Sequence, residues 1–235
     1  KRTGTSWSQE AYIKAANNNP NDGFGGQGDE NYLEISLYKD RLAVSATYED
    51  SNQTTITNGT VASSDNSNEN SGAVYVYKRT GTSWAQEAYI KAANNDNWDS
   101  FGFSISLDNN TLVVGARYED SNQTTITNGT TASNDDSNDN SGAVYVYKRS
   151  GSSWAQEAYI KGTYLYEGAL FGEVIALDND TLAVGVSGDH SNQTTITNGT
   201  SAADDFNNAN SGAVFVYKRT GTSWSQEAYI KAANN

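Results

Sequence analysis

The sequence predicts an all-β fold of four-stranded antiparallel sheets arranged in tandem, on three observations. Ser71-Gly72-Ala73-Val74-Tyr75-Val76-Tyr77-Lys78-Arg79 recurs at 141–149 and, with Phe215 for the middle tyrosine, at 211–219, a spacing of 70 residues each time. Within each copy, apolar residues alternate with small or polar ones at period two, the pattern of a half-buried strand. Turn-forming Asn, Asp and Gly separate these runs. Repeats are sought first because a missed period misassigns the whole architecture.

The elements follow in order along the second copy. Phe101 to Leu107 alternates and reads as a strand, Asp108-Asn109-Asn110 turns the chain, and Thr111 to Ala116 is a second, β-branched strand. The third copy gives the same hairpin as Phe171 to Leu177, Asp178-Asn179-Asp180 and Thr181 to Gly185. In the first copy the cognates are Leu33 to Leu37 and Leu42 to Val44, with Gly25 to Asn31 inserted after Phe24-Gly25. A polar stretch such as Tyr118 to Asn140 follows, in which Thr54-Thr55-Ile56-Thr57 is a candidate edge strand and Asn58-Gly59 its turn. Gly142 to Lys148 is the third strand. Thr80-Gly81-Thr82-Ser83 then turns into Trp84 to Lys91, read as the fourth strand, with a helix over Trp84 to Ala93 as the competing reading because Ala, Gln, Glu and Lys favour helices. Four antiparallel strands in 70 residues make a sheet the size of a propeller blade.

Residues 1–18 are identical to residues 218–235. The intervals from Lys1 to Lys78, Lys148 and Lys218 are 77, 70 and 70 residues, 217 in all. The expected organisation is therefore a partial blade at 1–18, blade 1 with its insertion at 19–92, blade 2 at 93–162 and blade 3 at 163–235, read as a window on a longer array whose cassette recurs. A single cassette with a partial fourth unit is the plainer alternative.

Composition narrows the function classes. The 28 acidic against 15 basic side chains give a net charge of −13, which leaves no basic footprint to displace counterions from nucleic acid. A mean hydropathy of −0.69 is low, but 15 Tyr, 5 Trp and 6 Phe can supply a thin aromatic core. The absence of Cys excludes disulfides, thiolate metal sites and cysteine nucleophiles, and a lone His cannot build a multi-histidine zinc centre. No run of 18 apolar residues is present, so no membrane span is expected, and a secretory leader would have to lie upstream of Lys1.

Phe101-Gly102 followed by Leu112-Val113-Val114-Gly115-Ala116, and then by Ser141-Gly142-Ala143-Val144-Tyr145-Val146-Tyr147, resembles the FG-GAP repeat of integrin α-subunit propellers. The chain also resembles bacterial extracellular proteins built of such units, whose repeats end in a segment similar to Trp84-Ala85-Gln86-Glu87-Ala88-Tyr89. The third copy keeps Phe171-Gly172 and Leu182-Ala183-Val184-Gly185; the first has Ser45 in place of the glycine. The resemblance implies β-propeller blades, extracellular or cell-surface placement, and roles in adhesion or surface architecture. It also raises calcium, which integrin-type blades hold in an Asp-rich hairpin turn. Here that turn is reduced to Asp108-Asn109-Asn110-Thr111 and its copies, so that cage is missing. A weaker calcium candidate is Asp135, Asp136, Asn138, Asp139 and Asn140, where oxygen-bearing side chains follow closely. No other cofactor is expected.

Eight Asn-x-Ser/Thr sequons occur, at Asn52, Asn58, Asn109, Asn122, Asn128, Asn179, Asn192 and Asn198. Six occupy two equivalent positions in the three polar loops, so covalent N-glycans are a candidate modification; in an unmodified protein the same residues are ordinary loop chemistry. No catalytic site is read. Glu49-Asp50 and Glu119-Asp120 are adjacent on an extended chain and so face opposite ways, and His190, beside Asp189, fits a surface turn better than a triad. Trp7, Trp84, Trp154 and Trp224 are assigned to packing between sheets, with a sugar-binding face shared with Tyr75 and Tyr145 as the alternative, whereas Trp98, present in one copy only, is free to be an exposed contact. The expected function is an extracellular structural repeat protein that assembles a fibre, filament or surface layer by self-association or through neighbouring repeats. The alternative is an adhesin whose polar loops bind a protein or glycan.

Overall fold

The computed structural model describes residues 1–26, 35–203 and 205–234. Most of the Gly25 to Asn31 insertion, and Leu33 and Glu34 of the expected first strand, lie outside them. The chain opens with a small hairpin, β1 (Arg2–Thr3) and β2 (Ser6–Trp7). Three sheets follow, formed by β3 (Ile35–Tyr38), β4 (Arg41–Ala46), β5 (Thr57–Asn58), β6 (Ala73–Thr80) and β7 (Ser83–Ile90); by β8 (Ser104–Asp108), β9 (Thr111–Ala116), β10 (Ile126–Asn128), β11 (Ala143–Ser150) and β12 (Ser153–Ile160); and by β13 (Val174–Asp178), β14 (Thr181–Val186), β15 (Ile196–Asn198), β16 (Ala213–Thr220) and β17 (Ser223–Ile230).

Each sheet is antiparallel and five-stranded, in the order β3-β4-β6-β7-β5 and its two copies. The four-strand expectation gains one member, because the short edge strand pairs with the outer strand, Thr127 opposite Tyr159 for example. It also sits further along than Thr54 to Thr57, since the pairing that extends it is to the Ala88–Tyr89 region of β7. Trp84 to Ile90 is strand rather than helix. Its cross-strand partners on β6 supply a ladder that outweighs the helix propensity of its Ala, Gln and Glu. Phe101-Gly102-Phe103 precedes β8 as a turn instead of forming its start, with Gly102 at φ 96°. Among the described residues no helix is long and apolar enough to cross a membrane.

The period-two pattern maps directly onto the packing. On β11, Tyr145 and Tyr147 point into a cluster shared with Val74, Val76, Ala88 and Ile90 of the preceding sheet. Val144 and Val146 point into a cluster with Phe171, Val184 and Phe215 of the following one. The middle sheet is thus buried on both faces. In the first sheet, Tyr75 and Tyr77 face Ala15, Ile13 and Phe24, so the segment ahead of β3 covers what a preceding sheet would cover. In the third sheet the valine face stays open: Val174 is 64 % and Val214 37 % exposed, where Val144 is wholly buried. The first strands form a seam, the Ser36 hydroxyl accepting from Leu107 N (2.9 Å) and the Ser106 hydroxyl from Leu177 N (3.3 Å).

The repeated Ser-Gly-Ala segment meets the repeated Phe-Gly segment where sheets join. Phe171 N donates to Ser141 O (3.0 Å), and a Cβ on Gly142, at φ +82°, would lie 2.2 Å from Phe171 O. Only glycine allows that approach.

Candidate functional site

Two polar arrangements are copied from sheet to sheet. The first joins neighbouring sheets. In each outer strand the pairing slips by one residue, so that Val146 faces Ala158 but Tyr147 faces Gln156, leaving Glu157 as the extra residue of a β-bulge. The bulge aims this glutamate out of the ladder toward the next sheet. Glu157 accepts from Arg219 (3.0 Å) and from the Trp224 indole nitrogen (3.1 Å). Glu87 likewise takes Arg149 (3.0 Å) and the Trp154 indole (3.2 Å), and Glu10 takes Arg79 Nη2 (2.7 Å).

Two further contacts complete the joint. Asn58 Oδ1 accepts from Trp154 N (2.7 Å) while its amide donates to Trp154 O (3.3 Å), and Asn128 does the same to Trp224 (2.8 and 3.4 Å). Tyr147 donates to Lys91 O (3.3 Å) and Tyr145 to Asn94 Oδ1 (2.5 Å). At the front of the chain Tyr77 donates to Lys14 O (3.1 Å) and Tyr75 to Asn17. Residues 8–18 therefore dock on the first sheet in the way residues 85–95 dock on the second.

The second arrangement is a buried hub inside each sheet. Lys161 Nζ lies 2.7 Å from Glu119 Oε2 and 2.7 Å from Ser141 Oγ, and Tyr159 donates to Glu119 Oε1 (2.6 Å). Asn94 and Ser121 N add donors to the same carboxylate at 3.0 and 3.2 Å. The first sheet repeats it with Lys91, Glu49, Ser71 and Tyr89, the third with Lys231, Asp189, Ser211 and Tyr229. Desolvation pushes the Lys161 and Lys91 amines below the ordinary lysine value, against the pull of their carboxylates, and pushes the Tyr159 and Tyr89 phenols up. A lysine on a serine hydroxyl is the chemistry of an activated nucleophile, but Ser141 is 0 % and Lys161 1 % exposed, so no substrate reaches them. What the hub does is fix the polar loop to the sheet: Ser141 Oγ also bonds Ser121 O (2.9 Å).

The residues singled out by sequence distribute as follows. Glu49 and Asp50 do face opposite ways, Glu49 into the hub and Asp50 to Asn70 N (2.8 Å). Trp154 and Trp224 are buried between sheets, Trp84 is half-buried, and Trp7 is 77 % exposed on its small hairpin, outside any inter-sheet layer. Trp98 is 55 % exposed. The weak calcium loop is not assembled as a cage. Asp135 binds its own turn through Ser137 (2.7 Å), Asn138 reaches Leu165 O (3.2 Å), Asn140 N donates to Asp120 (2.6 Å), and Asp136 and Asp139 bear on neighbouring carboxyls only through their charge. Among the described residues no three His, Cys, Asp or Glu are gathered to hold a metal ion.

The sequon asparagines fall into two groups. All eight sit at exposed positions, but the Asn58 and Asn128 amides are engaged in joints, Asn122 bonds Ser137 (2.7 Å) and Asn179 bonds Asp178 (2.8 Å), whereas no side-chain amide bond is made by Asn52, Asn109, Asn192 or Asn198 among the described contacts. Sequence reasoning missed the hub lysines and the bulge glutamates. Their signal was present: a Lys at 91, 161 and 231 and a Glu at 87, 157 and 227 recur unchanged in every copy.

Stacked antiparallel sheets with a copied joint define a tandem β-blade repeat protein. Residues 84–147, from the outer strand of the first sheet through the third strand of the second, match the model of the FG-GAP repeat. No curated protein matches the chain.

Proposed function

We propose that the protein is a non-catalytic structural component of an extracellular surface, whose blades continue head to tail into a longer array. The observation that carries this is the complementarity of its two end faces. The third sheet presents an open valine face, an exposed Glu227 at the bulge position and an exposed Asn198 at the joint position. The first sheet holds the matching Arg79, Tyr77, Tyr75 and Trp84, now covered by residues 8–18 and Phe24. Because residues 225–235 repeat residues 8–18 letter for letter, the third sheet of one copy can replace that segment on the first sheet of the next with the same contacts. Such a heterologous contact propagates as a ring or filament.

Deletion of residues 1–18 frees the first-sheet face and is expected to give concentration-dependent elongated particles in sedimentation and electron microscopy. Val214→Lys on the same background charges the open face and returns the chain to monomers. A truncated chain that stays monomeric at every concentration refutes the reading. The adhesin alternative draws its support from a place where the third copy departs from the other two.

A further inference from the structure

That place is a set of three positions brought together from separate segments of each copy. In the first sheet they are Asn19, Asp50 and Asn66, with Asn19 donating to Asn66 at 2.8 Å. In the second they are Asp96, Asp120 and Asp136, close enough that the charges of Asp136 and Asp120 help raise the Asp96 carboxyl above its usual range, after burial. In the third all three become rings: Tyr166, His190 and Phe206. Their centroids lie 4.3 Å (Tyr166 to His190), 5.3 Å (Tyr166 to Phe206) and 6.3 Å (His190 to Phe206) apart, with interplanar angles of 38°, 69° and 79°. Three positions that are polar in both other copies, and all acidic in the second, thus carry three rings in mutual contact in the third. The rings line a cavity of about 290 Å³ with Tyr164, Asp189 and Asp205, near the lower end of ligand-cavity sizes.

We infer that this cavity binds a small organic cation, an alkylammonium head group, through the ring faces of Tyr166, His190 and Phe206 and the carboxylate of Asp205. Phe206 stands steeply to both Tyr166 and His190, so the rings turn their faces in different directions, and ring faces attract quaternary ammonium groups. Asp205 supplies a formal charge beside them: hydrogen bonds from Asn192 N (3.0 Å) and Ser191 Oγ (2.9 Å) hold its carboxyl below the ordinary aspartate value. The field of a chain with net charge −13 draws cations toward the cavity. Phe206 is 65 % and Tyr164 48 % exposed, so the packing of the sheets does not require these two, while Tyr166 rests on the core of the third sheet. The inference is independent of the array reading, since a monomeric chain carries the cavity whole.

His190 is the single histidine, so its ring protons give one isolated reporter in proton NMR. Titration of the full chain with choline is expected to shift that signal saturably, while sodium chloride at equal ionic strength and the neutral isostere 3,3-dimethylbutan-1-ol do not. Phe206→Ala, at an exposed position, is expected to weaken choline binding at least about threefold with unchanged thermal unfolding. A parallel titration with n-butylammonium separates a methylated head group from a lysine-like primary amine; tighter binding of either supports the inference and names its source. An equal response to the neutral isostere, a response to glucose without one to choline, or no shift with any cation would overturn it.

Discussion

Replacing Lys161 by Met tests whether the buried hub holds the second sheet together. The ammonium and the Glu119 carboxylate are 2.7 Å apart, with side-chain exposures of 0 % and 2 %. Breaking such a pair from one side costs about 3–5 kcal/mol, because a charge is left buried without its counterion. Here Glu119 keeps three neutral donors, Tyr159, Asn94 and Ser121 N, so the loss belongs at the lower end, about 3 kcal/mol. For a chain of this length that is a fall of roughly 6–12 °C in Tm. Met occupies the volume of the lysine stem, so packing changes little.

The assay is urea unfolding followed by tryptophan fluorescence, with Glu119→Gln added as a second substitution. A neutral amide in place of the carboxylate removes the unpaired charge, and the double variant is expected to recover more than half of the loss. In the third sheet the partner is the shorter Asp189, with 8 % side-chain exposure, and Lys231→Met is expected to cost less, about 1–2 kcal/mol. A Lys161→Met change below about 1 kcal/mol, or a double variant no better than the single one, would refute the argument that the uncompensated charge sets the cost.

Two further outcomes follow from the same geometry. Burial raises the Asp22 carboxyl from 3.8 to about 6, so the folded state holds its proton more tightly than the unfolded chain; the extra stability is present below the unfolded value and is lost as pH rises through about 6. The thermal midpoint should therefore climb between pH 7 and pH 5, and Asp22→Asn should stabilise the chain at pH 7 by about 1 kcal/mol after allowance for solvent screening. The identical sequons at Asn58, Asn128 and Asn198 differ only in that the first two donate their amides to Trp154 and Trp224; in a glycosylating host, peptide mass spectrometry should find higher occupancy at Asn198 than at either.

How much of this was legible in sequence depended on range. The hairpins, the tyrosine and valine alternation and the aromatic packing were readable because they are local and repeat at period two. The hub was not. Glu119 and Lys161 are 42 positions apart, and both are types that local pattern assigns to solvent. The bulge escaped because a one-residue slip between Val146 and Tyr147 is a property of pairing, invisible in β12 alone. The set Tyr166, His190 and Phe206 escaped for a third reason: His190 and Phe206 lie far apart within one polar stretch, Tyr166 belongs to another, and only the fold brings the three rings together. Aligning the three copies as whole columns exposes both kinds of site, constant columns marking the hub and jointly changing columns marking the cavity.

The third copy also shows that its departures from the other two are coupled across the joint. In the second sheet Tyr145 donates to Asn94 at 2.5 Å; at the cognate positions the third has Phe215 and Tyr164, so donor and acceptor vanished together. Losing one alone would have left a buried hydroxyl or amide unpaired, at about 1–3 kcal/mol. The neighbouring Tyr217 hydroxyl shows the uncompensated case, being buried without a partner where Tyr147 bonds Lys91 O. The second-to-third joint thus keeps its glutamate, arginine and asparagine contacts but lacks both tyrosine bonds, and the third sheet should exchange its amide hydrogens before the second does. Restoring Tyr164→Asn with Phe215→Tyr should slow exchange in β16 and raise stability by about 1 kcal/mol, whereas Phe215→Tyr alone should lower it, a coupling measurable as a double-mutant cycle. Additive effects of the two substitutions would mean that the pair does not act as a unit and that the ordering of the joints rests on apolar burial alone.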